Sequence, residues 1–593
     1  MALLRTLLLT LVGASSLPAQ SELYKILYNP KTGSSFKVTS MAGQLPPSGY
    51  MPIRIEAKNG EKVPLRWTLD FLSADTSFSD NNENRLESSF EIACEPGRRE
   101  TVEFLVPLVT CFSDAHYNQN CLLEMDVICR PLMISGNGSL YGDFHESWPA
   151  VLLSEELFTP NASALDAATK PGLSSRGSLA FGSKFNTSSL SNDWRAYSGF
   201  DVFMITADEW RRTSPGAKTA ILKWNRLGGR IHLYTTYPSE TPVSLNINSD
   251  PNGLRSWGQV RTFPLAPQNH LDPSETISRI TTSSSGMPPD SKLQILVDQF
   301  RSAWPLQAAF GSRSFNPIFF ILILIIFGVL VGPINLFVFA KSGQRHKLFL
   351  TTPIISLAAS LLLLIVILFQ DGFGGRGFRL ALIEVQPDEN TAYLSQTQIA
   401  RTGVLLNTSF KVTNDAIISP LLLNESRWAR VTRTNDGGSG RYKLAASNDN
   451  LIRHTGDWFK SRSEYGHLLT SVQPTRGRLE LLNSSGPPTL ASTFDFDLAP
   501  VYYLDSQNQI WTTPKIAKGQ RVQLTLSNDK DLDKWVNQQR LRFHPLDSRR
   551  LDNISDRSEH FLAASTSAPF IETLGTINWT QNDALIAGPV VRP

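Results

Sequence analysis

Three carboxylates bracket one short apolar run: Asp201 precedes Val202-Phe-Met-Ile205, and Asp208 and Glu209 follow it. Open α/β sheets place their ligands beyond the carboxyl ends of parallel strands, which makes Asp208 and Glu209 candidate ligand-site residues, with Asp201 at the other end of the same strand. The same side chains also cap turns, so this pattern names a place and not a reaction. His232 alternates with Ile231 and Leu233, so it faces away from them. With no nucleophile recognisable beside it, it reads as a partly buried, hydrogen-bonded imidazole and not as a catalytic base. The sequence shows no glycine-rich phosphate loop, no H-E-x-x-H helix and no standard calcium loop, so neither a cofactor nor a catalytic residue is expected.

Cysteine usage is sparse. Cys94, Cys111, Cys121 and Cys129 are the only four, and all precede residue 130. An even number in an exported region favours disulfides, and four cysteines leave three pairings open. The spacing lacks a C-x-x-C pair and has only His116 nearby, which does not fit a compact zinc site, so no metal is expected.

The elements that must carry these residues are organised around two apolar runs, Ile318 to Ala340 and Leu348 to Phe369. Each has the length of about 20 residues that a helix needs to cross a hydrocarbon layer. The predicted hairpin comprises a first span at 317–340, a loop at 341–347 and a second span at 348–369. Lys341, Arg345 and Lys347 in the loop place it on the cytoplasmic side by the positive-inside rule. Residues 1–20 carry Arg5, an apolar stretch from Leu7 to Val12 and then small residues, which reads as a secretory signal. Both large portions are then expected outside the cytoplasm, on a two-pass protein of an inner membrane. Within the hairpin, Pro333 should kink the first span near Gly332. Asn335 lies at the depth of Thr352 and Ser356, so its amide is expected to meet one of them.

Residues 21–148 alternate apolar and polar side chains, as in Tyr50-Met-Pro-Ile-Arg-Ile-Glu56 and Leu65-Arg-Trp-Thr-Leu-Asp-Phe71, separated by turn formers such as Lys58-Asn-Gly60. This predicts a β-sandwich of immunoglobulin-like kind. From 149 to 305 strand and helix periods alternate. Ala150-Val-Leu-Leu153 and Asp201 to Ile205 are short strands. Ser214 caps a helix with Pro215 at its first position, Gly228-Gly229 stops it, and Arg230 to Tyr234 is the next strand. Residues 269–291, rich in Ser, Thr and Pro, are expected to form a loop, followed by an amphipathic helix from Leu293 to Trp304. Residues 378–593 return to strand signals at Leu380–Val385, Trp428–Val431, Arg478–Leu482, Val501–Leu504 and Arg521–Leu526, and read as a second all-β region, a C-terminal β-sandwich.

The run Asp193-Trp-Arg-Ala-Tyr-Ser-Gly-Phe-Asp201, the helix ending in Trp224-Asn-Arg-Leu-Gly-Gly229 and the flanking strands resemble the class I glutamine amidotransferase-like fold, a flavodoxin-like α/β arrangement. They resemble above all its degenerate versions in bacterial membrane proteins. In the family's enzymes a cysteine sits on a glycine-flanked elbow after the corresponding strand. Here Tyr234-Thr-Thr-Tyr-Pro238 stands at that place, so the resemblance implies the fold without the amidotransferase nucleophile. The whole order of segments resembles a set of uncharacterised bacterial envelope proteins.

The chain has 593 residues and a net charge of +3, with 18% charged side chains. Its charges are interspersed, which argues against a nucleic-acid partner. The expected partners are the lipid bilayer and other envelope proteins. The leading reading is a membrane-anchored scaffold or interaction protein without catalytic activity. The alternatives are an accessory subunit of a membrane transporter, or a hydrolase or transferase in which one of the three carboxylates meets a histidine.

Overall fold

Alternating burial builds the first region, as in Leu65–Asp75, where Leu65, Trp67, Leu69 and Phe71 are buried and Arg66 and Asp70 are exposed. The computed structural model describes residues 22–592 except 76–83, 112–118, 146–147, 170–179, 238, 251–252, 282–290, 293, 297–303, 311–317, 340–341, 422, 424–439, 447–450 and 484–485. The expected signal segment, the strand at Trp428 to Val431 and most of the helix expected from Leu293 to Trp304 lie outside the described residues. The fold is mostly β, with five sheets among the described residues.

The first region supplies β1 (Glu22–Asn29), β2 (Ser34–Ser40), β3 (Gly49–Lys58), β4 (Leu65–Asp75), β5 (Arg85–Cys94), β6 (Arg99–Leu108), β7 (Gln119–Arg130) and β8 (Ile134–Phe144). One sheet runs β1-β2-β3-β6, and the other contains β5-β4-β7-β8 in that order. Their facing sides meet through aromatic rings: Phe36 stacks on Trp67 at 3.9 Å and Phe90 on Phe104 at 4.6 Å.

The second region is built on a mostly parallel sheet. It comprises β9 (Val151–Ser154), α1 (Glu155–Thr169), β10 (Ser183–Phe185), β11 (Val202–Thr206), α2 (Ala207–Arg212), α3 (Pro215–Arg226), β12 (Arg230–Thr235), β13 (Leu254–Arg255), β14 (Gly258–Pro264) and α4 (Pro273–Thr281). The strand order is β10-β9-β11-β12-β14-β13, with only β13 antiparallel to its neighbour. Strands β9 and β11 are buried along their whole length, which is why they read as continuous apolar runs. Ser214 caps α3 by accepting from Ala217 N, and past its end Gly228 takes a φ of 109°, which a side chain would resist. The stretch expected as a loop contains α4. Its start was encoded in Asp272-Pro-Ser-Glu275, where the Asp272 carboxylate accepts from Glu275 N at 2.7 Å, and Thr276 and Ile280 bury its inner face.

After α5 (Pro305–Phe310) come the two apolar helices. The first is α6 (Ile318–Val329), which continues through Leu330–Phe339 in wider π-helical turns around Pro333; the second is α7 (Leu348–Asp371). Both are long and apolar enough to cross a membrane, with mean hydropathies of 2.8 over Phe320–Phe339 and 2.3 over Arg345–Val366. Their side chains are almost entirely uncovered by the rest of the protein, unlike those of a soluble core helix.

The last region contains β15 (Gly375–Gln386), β16 (Thr391–Thr402), β17 (Phe410–Thr413), β18 (Ala416–Leu421), β19 (Arg441–Ala446), β20 (Leu451–Gly456) and β21 (Glu464–Pro474). A nine-stranded sheet runs β18-β21-β16-β15 and continues through Ile577–Pro589, His560–Ser565, Val501–Leu504, Ile510–Thr513 and Thr525–Leu526. The expectation of an all-β region needs correction here, because α8 (Asp529–Arg540) and α9 (Pro545–Ser555) stand between these strands. Asn528 caps α8 through Asp531 N, and Pro545 opens α9, both ordinary start signals in an otherwise strand-rich stretch.

The two β regions are not separate. β19 pairs in parallel with β5, from Arg441 opposite Arg85 to Ala445 opposite Ser89, and β20 and β17 extend the same sheet outward. Asn84 Oδ1 accepts from Gly440 N at 3.0 Å, joining positions 356 residues apart on either side of the apolar hairpin. Edge pairing of β5 is thus completed by chain from beyond the hairpin.

Candidate functional site

The three carboxylates are placed far from one another in role. Asp201 lies at the amino end of β11, where its Oδ2 accepts from Ala150 N at 2.9 Å and its Oδ1 from Lys292 N at 3.3 Å. Asp208 is exposed and pairs with Arg211 at 2.6 Å. Glu209 is buried in a capping box: Thr206 Oγ1 accepts from Glu209 N, and the Glu209 carboxylate accepts from Thr206 N at 3.2 Å and Thr206 Oγ1 at 3.1 Å. Burial pushes its pKa up against the hydrogen bonds from Ser154 and Thr206.

His232 is buried on β12 with its ring edge-on to Phe263 at 4.9 Å. Burial, then Arg230, Arg261 and Arg279, hold its pKa well below the ordinary value. Its buried Nδ1 finds no hydrogen-bond partner among the described residues, while Asp201, Asp208 and Glu209 are bonded to other groups. After β12, Thr235 Oγ1 donates to Tyr237 O at 3.0 Å, and Tyr237 is largely exposed.

Of the four cysteines, Cys111 and Cys121 form a disulfide, while Cys94 and Cys129 are free and buried. The expectation that all four pair therefore fails for two of them. Cys94 on β5 and Cys129 on β7 flank β4, opposite Leu65 and Trp67. Two strand spacings put them about 10 Å apart, beyond the roughly 7 Å that a disulfide spans without backbone movement. Burial raises both thiol pKa values, that of Cys129 to about 11, which makes them unreactive. Among the described residues no group of three His, Cys, Asp or Glu is arranged to hold a metal ion.

In the hairpin, Asn335 is buried and makes two interhelical bonds. Its Nδ2 donates to Thr352 Oγ1 at 2.9 Å, and Thr351 Oγ1 donates to its Oδ1 at 2.6 Å. The structure thus brings Asn335 and Thr352 together; the second partner is Thr351, and Ser356, one turn further on, makes no bond to it. Asn335 lies within the π-helical widening around Pro333.

The feature that sequence reading missed is a cavity where the three regions outside the apolar hairpin converge. It has a volume of about 100 Å³ and is walled by Gly49 from the first region, Trp224 and Lys292 from the second, and Ile417, Leu468 and Arg550 from the last. Lys292 Nζ donates to Phe200 O at 3.0 Å and Ser198 O at 3.5 Å and lies 5.9 Å from the Trp224 ring centre. Burial lowers its pKa to about 8, opposed by the nearby Asp201 carboxylate. Arg550 donates to Asp547 Oδ1 at 2.7 Å and Leu227 O at 2.8 Å and lies over Trp257 at 4.6 Å, while its buried Nε finds no acceptor. Only tertiary packing brings these cations together, since they are 258 positions apart in sequence (550 − 292).

Beside the cavity stand a serine, a histidine and an aspartate, all buried. Ser395 Oγ donates to Asp547 Oδ2 at 3.1 Å, and His544 Nε2 lies 3.0 Å from that same oxygen. Serine and histidine both address the carboxylate and not each other, so the relay a nucleophilic serine requires is absent. Burial alone would raise the Asp547 pKa, but His544 and Arg550 pull it well below the carboxylate range. The cluster belongs to a set of ionic clamps between the α/β unit and the long sheet. Glu389 accepts from Arg226 at 2.7 Å and from the Tyr393 hydroxyl at 2.7 Å, and Arg195 donates to Asn414 at 2.8 Å.

No family model matches this chain, and no curated protein matches it. Solved structures with some likeness include a Paenibacillus cycloisomaltooligosaccharide glucanotransferase, at 14% identity and a TM-score of 0.16, covering 33% of this chain and 27% of that one. The sporulation control protein of Bacillus subtilis matches at 17% identity and a TM-score of 0.13, covering 19% of this chain and 50% of that one. A Bacteroides uniformis β-glucuronidase matches at 8% identity and a TM-score of 0.15, covering 39% of this chain and 31% of that one. The chain spans at most half the length of each, and scores this low carry no functional argument.

Proposed function

We propose that this protein is a membrane-anchored scaffold or interaction protein of a bacterial envelope, with both large portions on the extracytoplasmic side of the inner membrane. The observation that carries the reading is the β5–β19 pairing: chain before and after the hairpin shares one sheet, so both portions lie on the same side of any bilayer the two helices cross. The charged loop containing Arg345 and Lys347 then faces the cytoplasm. The α/β unit is, in this reading, a relative of the amidotransferase-like fold that has kept the strand-helix-strand frame and serves as a rigid wedge between β regions. Its acidic candidates support this, because Asp201 and Glu209 are occupied with backbone bonds and Asp208 with a surface ion pair. Asn335 is satisfied inside the hairpin, which directs partner binding to the water-facing body and away from the spans.

The test combines topology with capture. Reporter fusions after Gln344 and Pro593 should read cytoplasmic and extracytoplasmic respectively. Cross-linking intact cells with a membrane-impermeant reagent, then purifying in detergent, should recover envelope proteins bound to the outer body. A cytoplasmic signal from the Pro593 fusion overturns the topology, and glutamine-dependent ammonia release by the purified protein overturns the non-enzymatic reading.

A further inference from the structure

We propose that the end of the body nearest the hairpin is a lipid-binding foot, in which Phe373 and Leu406 insert into the headgroup layer of the outer leaflet beside the second span, given the reading above that the two helices cross a bilayer. Helix α7 has 24 residues and so rises about 36 Å, about 6 Å more than a hydrocarbon layer of about 30 Å. The chain leaves it through Gly372 and Phe373, at the depth of the headgroups. Three segments are joined at that exit. Val404 N donates to Gly372 O at 2.9 Å, Gly374 N to Val404 O at 3.0 Å, and Gly403 N to Gly374 O at 2.7 Å. The third segment is added by Arg462 N, which donates to Gly403 O at 2.9 Å, and by Ser461 Oγ, which accepts from Leu405 N at 2.9 Å. These bonds hold Leu406 at the level where the span ends.

Phe373 is 67% exposed and Leu406 90%. Single bare apolar side chains are ordinary on a soluble surface, but these two share one hydrogen-bonded platform at the foot of an apolar helix. The same segments carry Arg376, Lys460 and Arg462, all exposed, with Asp457 paired to Lys460 at 3.0 Å. Apolar tips flanked by cations make an interfacial anchor, the tips entering the acyl boundary and the cations meeting lipid phosphates. Lipid and not a protein is the occupant, because the bilayer is the surface that the hairpin itself brings to this end. The foot also has a mechanical consequence. Gly372 and Gly374, at φ 72° and 76°, are natural pivots between span and body, and β15 and β16 meet just beyond them, Gly375 opposite Thr402. Contact with the leaflet at two further points holds the long sheet at one tilt to the membrane.

Fluorescence quenching of the full chain in vesicles of phosphatidylethanolamine and phosphatidylglycerol tests it. The native cysteines do not interfere, since Cys111 and Cys121 are bonded and Cys94 and Cys129 are buried. A nitrobenzoxadiazole label on Leu406→Cys should lose about half its emission to lipid spin-labelled at the headgroup. A label on Asp388→Cys, in the exposed turn roughly 40 Å along β15 from the exit, should lose none. Adding Phe373→Ser should weaken the quenching of the Leu406→Cys label; if that double variant does not fold, the contrast between Leu406→Cys and Asp388→Cys still decides. A label on Leu361→Cys, in the middle of α7, should be quenched by lipid spin-labelled deep in the acyl chain. Failure at Leu361→Cys overturns the bilayer reading and the foot with it, whereas quenching there without quenching at Leu406→Cys overturns the foot alone. Equal quenching at Asp388→Cys overturns the foot too, as does a Leu406→Cys label that is blue-shifted but unquenched, the sign of a protein cover.

Discussion

His454 and His467 sit in one aromatic nest: His454 stacks on Phe410 at 4.8 Å and meets Trp458 edge-on at 4.9 Å, and His467 lies 4.7 Å from Phe459. Each ring keeps one backbone contact, His454 with Ile452 O at 3.1 Å and His467 with Trp458 O at 3.0 Å. Burial lowers their pKa values to about 4 and about 3. Both are depressed bases, so the unfolded chain binds more protons between those values and about 6.5, and stability must fall as pH drops through that window. For His454 the loss amounts to about 3 kcal/mol by pH 4. Denaturant titrations from pH 7 to pH 4 should show this acid limb, and His454→Phe should flatten it; an unchanged slope would show that the ring is not buried neutral. The cysteines make the same point about what a sequence can convey. All four look equivalent as letters, yet strand register bonds two and separates two by an intervening strand. Cys121→Ser should therefore cost about 2–3 kcal/mol for opening a short loop, while Cys94→Ser should leave the disulfide formed, as non-reducing mass mapping would show.

At the level of elements, legibility followed the strength of the local period. Strand β11, helix α3 and strand β12 were readable because a fully apolar run, a Ser-Pro start and a Gly-Gly stop each act locally. Helices α4, α8 and α9 do not stand out in the sequence, although start signals are present, Asp272 and Asn528 as caps and Pro545 as an opening proline, because Ser, Thr, Asn and Pro signal both loops and helix starts. The capping box Thr206-Ala-Asp-Glu209 is also plain in the sequence, and in the structure it holds Glu209 as an end-of-strand fastening. Thr206→Ala should destabilise by about 1 kcal/mol in thermal or denaturant unfolding. Glu209→Gln, which keeps one acceptor, should cost less; a larger loss from Glu209→Gln than from Thr206→Ala would mean the carboxylate serves something besides the cap. In the hairpin, depth counting from the loop found the Asn335–Thr352 contact. The second partner is Thr351 and not Ser356, and Asn335 sits in the widened turns after Val329, which no spacing rule supplies. Interhelical hydrogen bonds in membranes average only about 0.6 kcal/mol, so Asn335→Leu should change cross-linking register between the spans more than unfolding energy.

Across the whole molecule, the parallel pairing of β19 with β5 was invisible to periodicity, because parallel register between segments hundreds of residues apart is chosen by tertiary packing and not by local pattern. Tyr442 and Leu444 do alternate with exposed neighbours, but six residues bounded by unmarked chain carry little signal on their own. The pairing has a direct physical consequence. Lys443 stands opposite Glu87 and bridges it at 2.5 Å, with both side chains substantially exposed. An exposed cross-strand ion pair is worth at most about 1 kcal/mol, so replacing both residues should leave the fold standing. Neighbouring strands lie about 4.8 Å apart, within disulfide reach. The double variant Glu87→Cys with Lys443→Cys should therefore oxidise to a bridge in membranes. After cleavage at a protease site inserted behind Gln344, its halves should migrate as one band without reductant and as two with it. The mismatched pair Glu87→Cys with Lys411→Cys should stay unbridged, because β17 lies beyond both β19 and β20 from β5. Failure of the matched pair under conditions that oxidise Cys111–Cys121 would mean that the two portions do not share a sheet, and the topological argument resting on that sheet would fall with it.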